Sequence, residues 1–253
     1  MPLLRFVFLL AASLCLMGVQ GLQAKPQADP ISIVVIGDST AAQKEADRRP
    51  ETGWAEALQS FFEDGVSVSN RALNGRSSKS FIDEGRWQEA LGELEAGDVL
   101  IVEFGHNDQK SHDPSRYAAP WDGYASNLRR FAQEAQAKGA EVIILSSICR
   151  RKFNEDGTLQ DTHGEYPDAA QAVARDVEAA YIDMEALTRD MLLELGPEKS
   201  RKLFLHLEPG EHENYPDGKS DDTHLNEAGA RAHAELFAGA LREMGHPLAD
   251  RLR

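Results

Sequence analysis

The stretch ISIVVIGDST, residues 31–40, decides how this chain is read. Ile31 to Ile36, with Ser32 among them, form an apolar, β-branched run of the length of a short buried strand. The run stops at Gly37, and Asp38, Ser39 and Thr40 follow. In an open α/β sheet, ligands bind beyond the carboxyl ends of the strands. A serine held there on a tight turn behind a glycine is placed as an exposed nucleophile. The competing reading is an ordinary turn in which Ser39 caps the next helix. The rest of the chain chooses between them.

Outward from this segment, strand-like and helix-like runs alternate, which predicts one sheet covered on both faces. A polar loop, Gln43 to Pro50, precedes a helix expected over Trp54 to Phe62. Val66 to Asn70 reads as the second strand. Lys79 to Leu94 reads as helical in part, with Gly85 and Gly92 weakening it. Val99 to Phe104 is the third strand. Tyr124, Leu128, Phe131 and Ala135 share one helical face, which Gly139 closes. Glu141 to Ser147 is the fourth strand, and a long loop runs from Ile148 to Glu165. Pro167 opens a helix as an N1 residue would. Tyr181 to Met184 is a short fifth strand, and helical stretches continue to about Phe204. A second long loop, Glu208 to Ser220, leads to a last helix over Asn226 to Met244. Long loops in a compact domain are often functional.

Composition bounds the function. Residues 1–24 have the layout of a cleaved export signal: Arg5 as a positive start, an apolar Phe6 to Met17, and Ala24 before Lys25. A second possible cleavage site follows Val19-Gln20-Gly21. The apolar run is short for a bilayer span, and Leu14 is too bulky for a lipoprotein cleavage before Cys15. The expected mature unit is a single domain, residues 25–253, exported to the periplasm or the medium. Beyond the signal, Cys149 is the only cysteine, so no internal disulfide is available, and a buried structural thiol is expected. A net charge of −15 argues against nucleic acid as a partner. No second stretch is expected to cross a membrane, and a monomer is expected.

A serine nucleophile needs a base, an orienter for that base, and donors for an oxyanion. Asp221-Asp222-Thr223-His224 supplies a histidine three residues after an aspartate. In a helical or turn-like backbone, residues three apart share a side, so Asp221 reaches the His224 ring and Asp222 points elsewhere. The alternative is a helix entry in which the acidic residues complement the dipole. Gly75, in Asn74-Gly75-Arg76, can present its N–H to a ligand. Asn107, in Gly105-His106-Asn107-Asp108, offers a neutral amide donor. Each of these segments has a bland reading as a turn or loop. Together they fall directly after strands or before the last helix, at one edge of the sheet.

The segments IGDST, NGRSS, FGHND and DDTH, in this order, resemble the four blocks of the SGNH (GDSL-type) hydrolases. More narrowly, GDSTAA, TGWAEAL, NRALNGRSSKSFIDEGRW, EFGHNDQK, SSICRRKF and DDTHLNEAGA are similar to the bacterial rhamnogalacturonan acetylesterases. The resemblance implies a three-layer, flavodoxin-like α/β/α fold with a parallel five-stranded sheet. It also implies a serine esterase without a cofactor or metal, acting on an acetylated polysaccharide or oligosaccharide. In that scheme Ser39 attacks, His224 takes the proton, and Asp221 orients His224. The Ser39 and Gly75 amides and the Asn107 side chain hold the oxyanion. Asp222, beside Asp221, keeps the choice of carboxylate open. Arg76, Trp121, Arg150 and Tyr215 are the candidate substrate contacts. Arg76, Arg150, Arg151 and Lys152, in loops after strands, read either as a cationic patch within an acidic protein or as residues paired with surface carboxylates. Histidines near Asp221 raise a metal alternative, but they lack compact ligand spacing. Two further alternatives are a lipase or thioesterase of the same fold and a carbohydrate-binding protein with a dead site.

Overall fold

The computed structural model describes residues 29–253, so the export segment expected over residues 1–24 lies outside the described residues. Five parallel strands build the central sheet: β1 Ile31–Gly37, β2 Val66–Asn70, β3 Val99–Glu103, β4 Glu141–Leu145 and β5 Ala180–Ile182. Their spatial order is β2-β1-β3-β4-β5, the flavodoxin-like order. The alternation of β1 explains why both faces are covered. Ile33 and Val35 belong to one core with Trp54, Phe62, Phe237 and Leu241. Val34 and Ile36 belong to the other, with Phe81, Trp87, Phe131 and Val173. Each fully buried phenylalanine, such as Phe131 or Phe237, contributes about 1.5–3 kcal/mol. The first core is covered by α1 Trp54–Ala57, α6 Met184–Ser200 and α7 Glu227–Glu243. The second is covered by α2 Ser78–Asp83, α3 Arg86–Glu93, α4 Ala125–Ala137 and α5 Tyr166–Asp176.

The chain leaves β1 toward β2 on one side and later returns to β3 on the other. That reversal opens a crevice beyond the carboxyl ends of β1 and β3. The segments after β1, β2 and β3 carry Ser39, Gly75 and Asn107 to this edge.

Several elements differ from the sequence expectation. The helix expected over Trp54 to Phe62 is one α-helical turn followed by a 3₁₀ turn, Leu58–Phe61. The Lys79 to Leu94 stretch is two helices, because Gly85 at φ 76° breaks it. The fifth strand ends at Ile182, where the Asp183 carboxylate accepts the Ala186 N–H and starts α6. The largest difference is an antiparallel hairpin, β6 Phe204–Leu207 with β7 Lys219–Leu225, where a loop and helix entry were expected. Only its tip remains loop, and Asn226 caps α7 by accepting the Gly229 N–H at 3.0 Å. Cys149 is buried, as expected of a structural thiol, and Trp54 and Trp87 are buried with it.

Candidate active site

Ser39 follows β1 through a turn closed by its neighbours: the Asp38 carboxylate accepts the Thr40 N–H at 3.0 Å. Gly37 permits this approach, since a Cβ there would lie 2.7 Å from the Glu103 carbonyl oxygen on β3. His224 reaches Ser39 from β7, and the backbone there is not helical. Phe204 pairs with Leu225 and Leu205 with Asp221, so residues 222–224 bulge out of the ladder. Asp221 Oδ1 accepts the N–H groups of Thr223 at 2.9 Å and His224 at 3.0 Å. This tight turn gives the three-residue spacing its shared side.

The result is a continuous line. Asp221 Oδ2 lies 2.9 Å from His224 Nδ1, and His224 Nε2 lies 2.9 Å from Ser39 Oγ. The carboxylate requires a proton on Nδ1, which leaves Nε2 to accept from the Ser39 hydroxyl. Burial alone would raise the Asp221 carboxyl. Hydrogen bonds from the His224 ring, the His224 charge and the two backbone N–H groups outweigh it and hold Asp221 well below the usual carboxylate range. Asp222 faces the other way. Its Oδ1 takes Arg151 Nε at 2.8 Å and His206 Nε2 at 2.9 Å. It ties the loop after β4 to the hairpin and does not cap α7.

Ser39, Gly75 and Asn107 line the same cleft. Gly75 sits at φ 76°, a left-handed conformation that favours glycine. The Ser39 and Gly75 N–H groups have no protein acceptor among the described residues. Asn107 spends one amide hydrogen on the Arg76 carbonyl at 3.0 Å, and Lys110 Nζ at 2.7 Å fixes its oxygen. The second amide hydrogen stays available.

These groups line a cleft of about 460 Å³ that also exposes Arg48, Lys110, Arg150, Tyr215 and Lys219. A larger groove of about 700 Å³ lies between α6 and α7, but its lining is mainly apolar and holds no serine–histidine pair. Among the described residues, no group of three or more His, Cys, Asp or Glu side chains is arranged to hold a metal ion.

Of the expected substrate contacts, Arg150 and Tyr215 line the cleft. Arg150 is held by the carbonyls of Thr162 at 3.1 Å and His106 at 3.4 Å. Tyr215 bonds the Arg48 carbonyl at 3.0 Å, closing the hairpin tip over the loop after β1. Arg76 and Trp121 are not part of the cleft wall. Arg76 turns away to Glu84 at 3.0 Å, and the exposed Trp121 donates to Glu165 at 2.9 Å. The cationic patch of Arg76, Arg150, Arg151 and Lys152 therefore does not form at the cleft, because Arg76 and Arg151 are taken by Glu84 and Asp222. The cleft cations are Arg48, Lys110, Arg150 and Lys219. Among the described residues, none of these four forms an ion pair.

Sequence reasoning also missed Lys44. Its ammonium joins Glu51 at 2.9 Å, Asn74 Oδ1 at 2.6 Å and the Ser39 carbonyl at 2.5 Å. It thus ties the Ser39 turn to the segment carrying Gly75. A buried chain, His106 to His163 at 3.1 Å and His163 to Glu185 at 3.5 Å, stiffens the wall around Arg150. Burial, followed by the Arg150 charge, keeps His106 well below the usual imidazole range.

Residues 35–232 match the GDSL-like lipase/acylhydrolase family. The chain is 40% identical over 223 residues to the rhamnogalacturonan acetylesterase RhgT of Bacillus subtilis (strain 168), covering 88% of this chain and 94% of the relative. It is 29% identical over 246 residues to a rhamnogalacturonan acetylesterase of Emericella nidulans, covering 89% and 90%. Among solved structures, a Bacillus subtilis protein superposes with a TM-score of 0.72 at 23% identity, over 86% of this chain and 58% of that one. An acetylxylan esterase from Geobacillus stearothermophilus gives 0.58 at 20% identity, over 86% and 95%. These two structural likenesses bear on the fold alone, and they agree with the parallel sheet flanked by helices. The extent of the family match and the 40% identity together decide the class: the chain belongs to the GDSL-like lipase/acylhydrolase family of ester hydrolases.

Proposed function

We propose that the protein is a serine esterase that removes acetyl groups from an acidic plant-type polysaccharide such as rhamnogalacturonan. The observation that carries the reading is the unbroken line from Asp221 through His224 to Ser39, with 2.9 Å at each contact. Ser39 Oγ attacks the acetyl carbonyl carbon as its proton passes to His224 Nε2. Asp221 holds the ring in the productive tautomer and stabilises the imidazolium. The negative oxygen of the tetrahedral intermediate is received by the Ser39 and Gly75 N–H groups and the Asn107 amide. Such donors matter because they strengthen as charge develops. His224 then gives that proton to the departing sugar oxygen as its bond to the acetyl carbon breaks, freeing the sugar hydroxyl and leaving an acetyl group on Ser39. A water molecule, deprotonated by His224, releases acetate and restores the serine.

The substrate class is supported by charge. Arg48, Lys110, Arg150 and Lys219 converge on the cleft of a protein whose net charge is −15. Glu51 and Asp221, the acidic residues in that wall, are already engaged by Lys44 and His224. A local field of this sign suits the carboxylates of a polyuronate chain. A lipid or thioester substrate would ask for an apolar acyl groove beside Ser39, and the lining there is polar or charged. In this reading residues 1–24 are removed as an export signal, and residues 25–253 work as the domain that meets such a polysaccharide outside the cytoplasm. Among the described residues, no helix is long and apolar enough to cross a membrane.

The test is acetate release from acetylated rhamnogalacturonan, acetylated xylan and a neutral p-nitrophenyl acetate, each across a salt series. The expected result is the highest kcat/KM on the acidic glycan, with a KM that rises with salt for that substrate alone. Equal salt response for charged and neutral substrates, or a preference for xylan, overturns the substrate assignment.

A further inference from the structure

Beneath Ser39, two carboxyl groups that take no part in the steps above meet in the interior. Asp38 precedes Ser39 after β1 and Glu103 ends β3; both are 0% exposed. Thr40 Oγ1 lies 3.0 Å from Asp38 Oδ1, and 3.2 and 3.3 Å from the two Glu103 carboxyl oxygens. A hydroxyl donates one proton and otherwise accepts. It serves two carboxyl groups at once only when one of them is protonated and donates back to it.

The remaining partners agree with that count. Glu103 accepts the Trp54 indole N–H at 2.8 Å and the Ile148 N–H at 3.2 Å. Asp38 receives only Thr40, through its N–H and its hydroxyl, and Asp38 Oδ2 has no partner among the described residues. Among the described residues, no cation is bonded to either group. Two ionised carboxylates without a counter-ion in so dry a place repel each other and are poorly solvated.

We propose that Asp38 and Glu103 hold a single proton between them, carried on Glu103 and linked through the Thr40 hydroxyl to the Asp38 carboxylate. This pair positions the turn that presents Ser39, and the proposal rests on the reading of Ser39 as the nucleophile. The Glu103 O–H donates to Thr40 Oγ1, and the Thr40 O–H donates to Asp38 Oδ1. The same Asp38 oxygen holds the Thr40 N–H, which closes a ring around Ser39. Both Ser39 groups used in the reaction, its Oγ and its N–H, are fixed by that ring. Burial raises the Asp38 carboxyl too, but Asp38 is the ionised partner because it lies in the field of Arg150, Lys44 and Lys110, and of His224 once that ring takes the serine proton, opposed by Asp108. Glu103 faces the Asp38 charge and the Tyr124 phenol. Burial, followed by the Asp38 charge, pushes Glu103 up to about 8. Ionisation of Glu103 removes the donor to Thr40 and puts a second charge into the same space, so the ring opens.

The test has a spectroscopic and a kinetic arm. Infrared spectra of protein carrying isotopically labelled glutamate separate Glu103 from Asp108. A protonated glutamic acid is expected at neutral pH, fading near pH 8 and absent in Glu103→Gln. In Ser39→Ala that signal is expected unchanged, so it reports on the proton even if the nucleophile has been misassigned. In the kinetic arm, Thr40→Val, which keeps volume and loses the hydroxyl, is expected to lower kcat at least tenfold with KM unchanged. Thr40→Ser is expected to restore it. The alkaline fall of kcat in the wild type is expected to vanish in Glu103→Gln. Absence of the protonated acid at neutral pH overturns the shared proton. A Thr40→Val enzyme with wild-type kcat, or an unchanged alkaline fall in Glu103→Gln, overturns the positioning role.

Discussion

Replacing Lys44 with methionine tests how the Ser39 turn is held. The methionine keeps the length of the side chain and removes the ammonium. Lys44 and Glu51 side chains are only 1% and 9% exposed, so Glu51 would be left as an uncompensated charge almost out of water. Breaking one partner of such a pair costs about 3–5 kcal/mol. The Asn74 side chain and the Ser39 carbonyl lose their donor as well. For a domain of this size each kcal/mol lowers Tm by about 2–4 °C, so the expected fall is about 6–20 °C. The assay is thermal and urea unfolding, followed by circular dichroism, for Lys44→Met, Glu51→Gln and the double variant. Because Glu51→Gln removes the stranded charge, the double variant is expected to be more stable than Lys44→Met alone, with a coupling of about 1–3 kcal/mol. Strict additivity, or a Lys44→Met cost below about 1 kcal/mol, would refute the reasoning.

Asp221→Asn is expected to cost up to about four orders of magnitude in kcat, while Asp222→Asn, which breaks contacts to Arg151 and His206, leaves kcat within a few-fold and lowers Tm; kcat and Tm of both variants decide it, and the reverse pattern would reassign the carboxylate. Asn107→Ala is expected to lower kcat about a hundred- to a thousand-fold with little change in KM, and a defect confined to KM would make Asn107 a substrate-binding residue. Stability is expected to fall as pH rises. Glu103 and Asp108 stay protonated in the fold up to about 8 and about 7, against ordinary values of 4.5 and 3.8. The unfolded chain therefore releases these protons first, and stability declines from about pH 4 to about pH 8 and then levels. Asp221 acts with the opposite sign, its contribution fading as pH drops below 3.8. Unfolding free energy measured across this range checks the slope, which Glu103→Gln is expected to flatten.

Much of the fold was legible because parallel strands buried on both faces read as unbroken apolar runs, as in IVVI of β1 and VLIV of β3. The tight glycine and asparagine segments behind them could then be placed at one edge. The hairpin was not legible. Lys219-Ser220-Asp221-Asp222 has no β-like pattern, and its strand exists through pairing with Phe204–Leu207. The three-residue step from Asp221 to His224 was legible as chemistry, but its cause is a bulge and a side-chain turn. Lys44, Glu51 and the His106–His163 contact depend on partners brought together by the fold, and nothing local marks them. Glu103 did carry a signal: a lone carboxylate inside the apolar run VLIVEFG must be buried and must find partners. Arg76 and Trp121 misled because a residue following a cleft-forming segment need not face the cleft. Arg76 is captured by Glu84, and Trp121 leans on Glu165.

The most direct test of the central claim is acetate release by Ser39→Ala beside the wild type, on acetylated rhamnogalacturonan and with folding checked by circular dichroism. Removing one oxygen from a residue at a strand end leaves no core cavity, so the variant is expected to fold normally and to release acetate at no more than the rate of a blank. A folded Ser39→Ala protein that releases acetate near the wild-type rate would contradict the assignment of Ser39, and with it the line through His224 to Asp221.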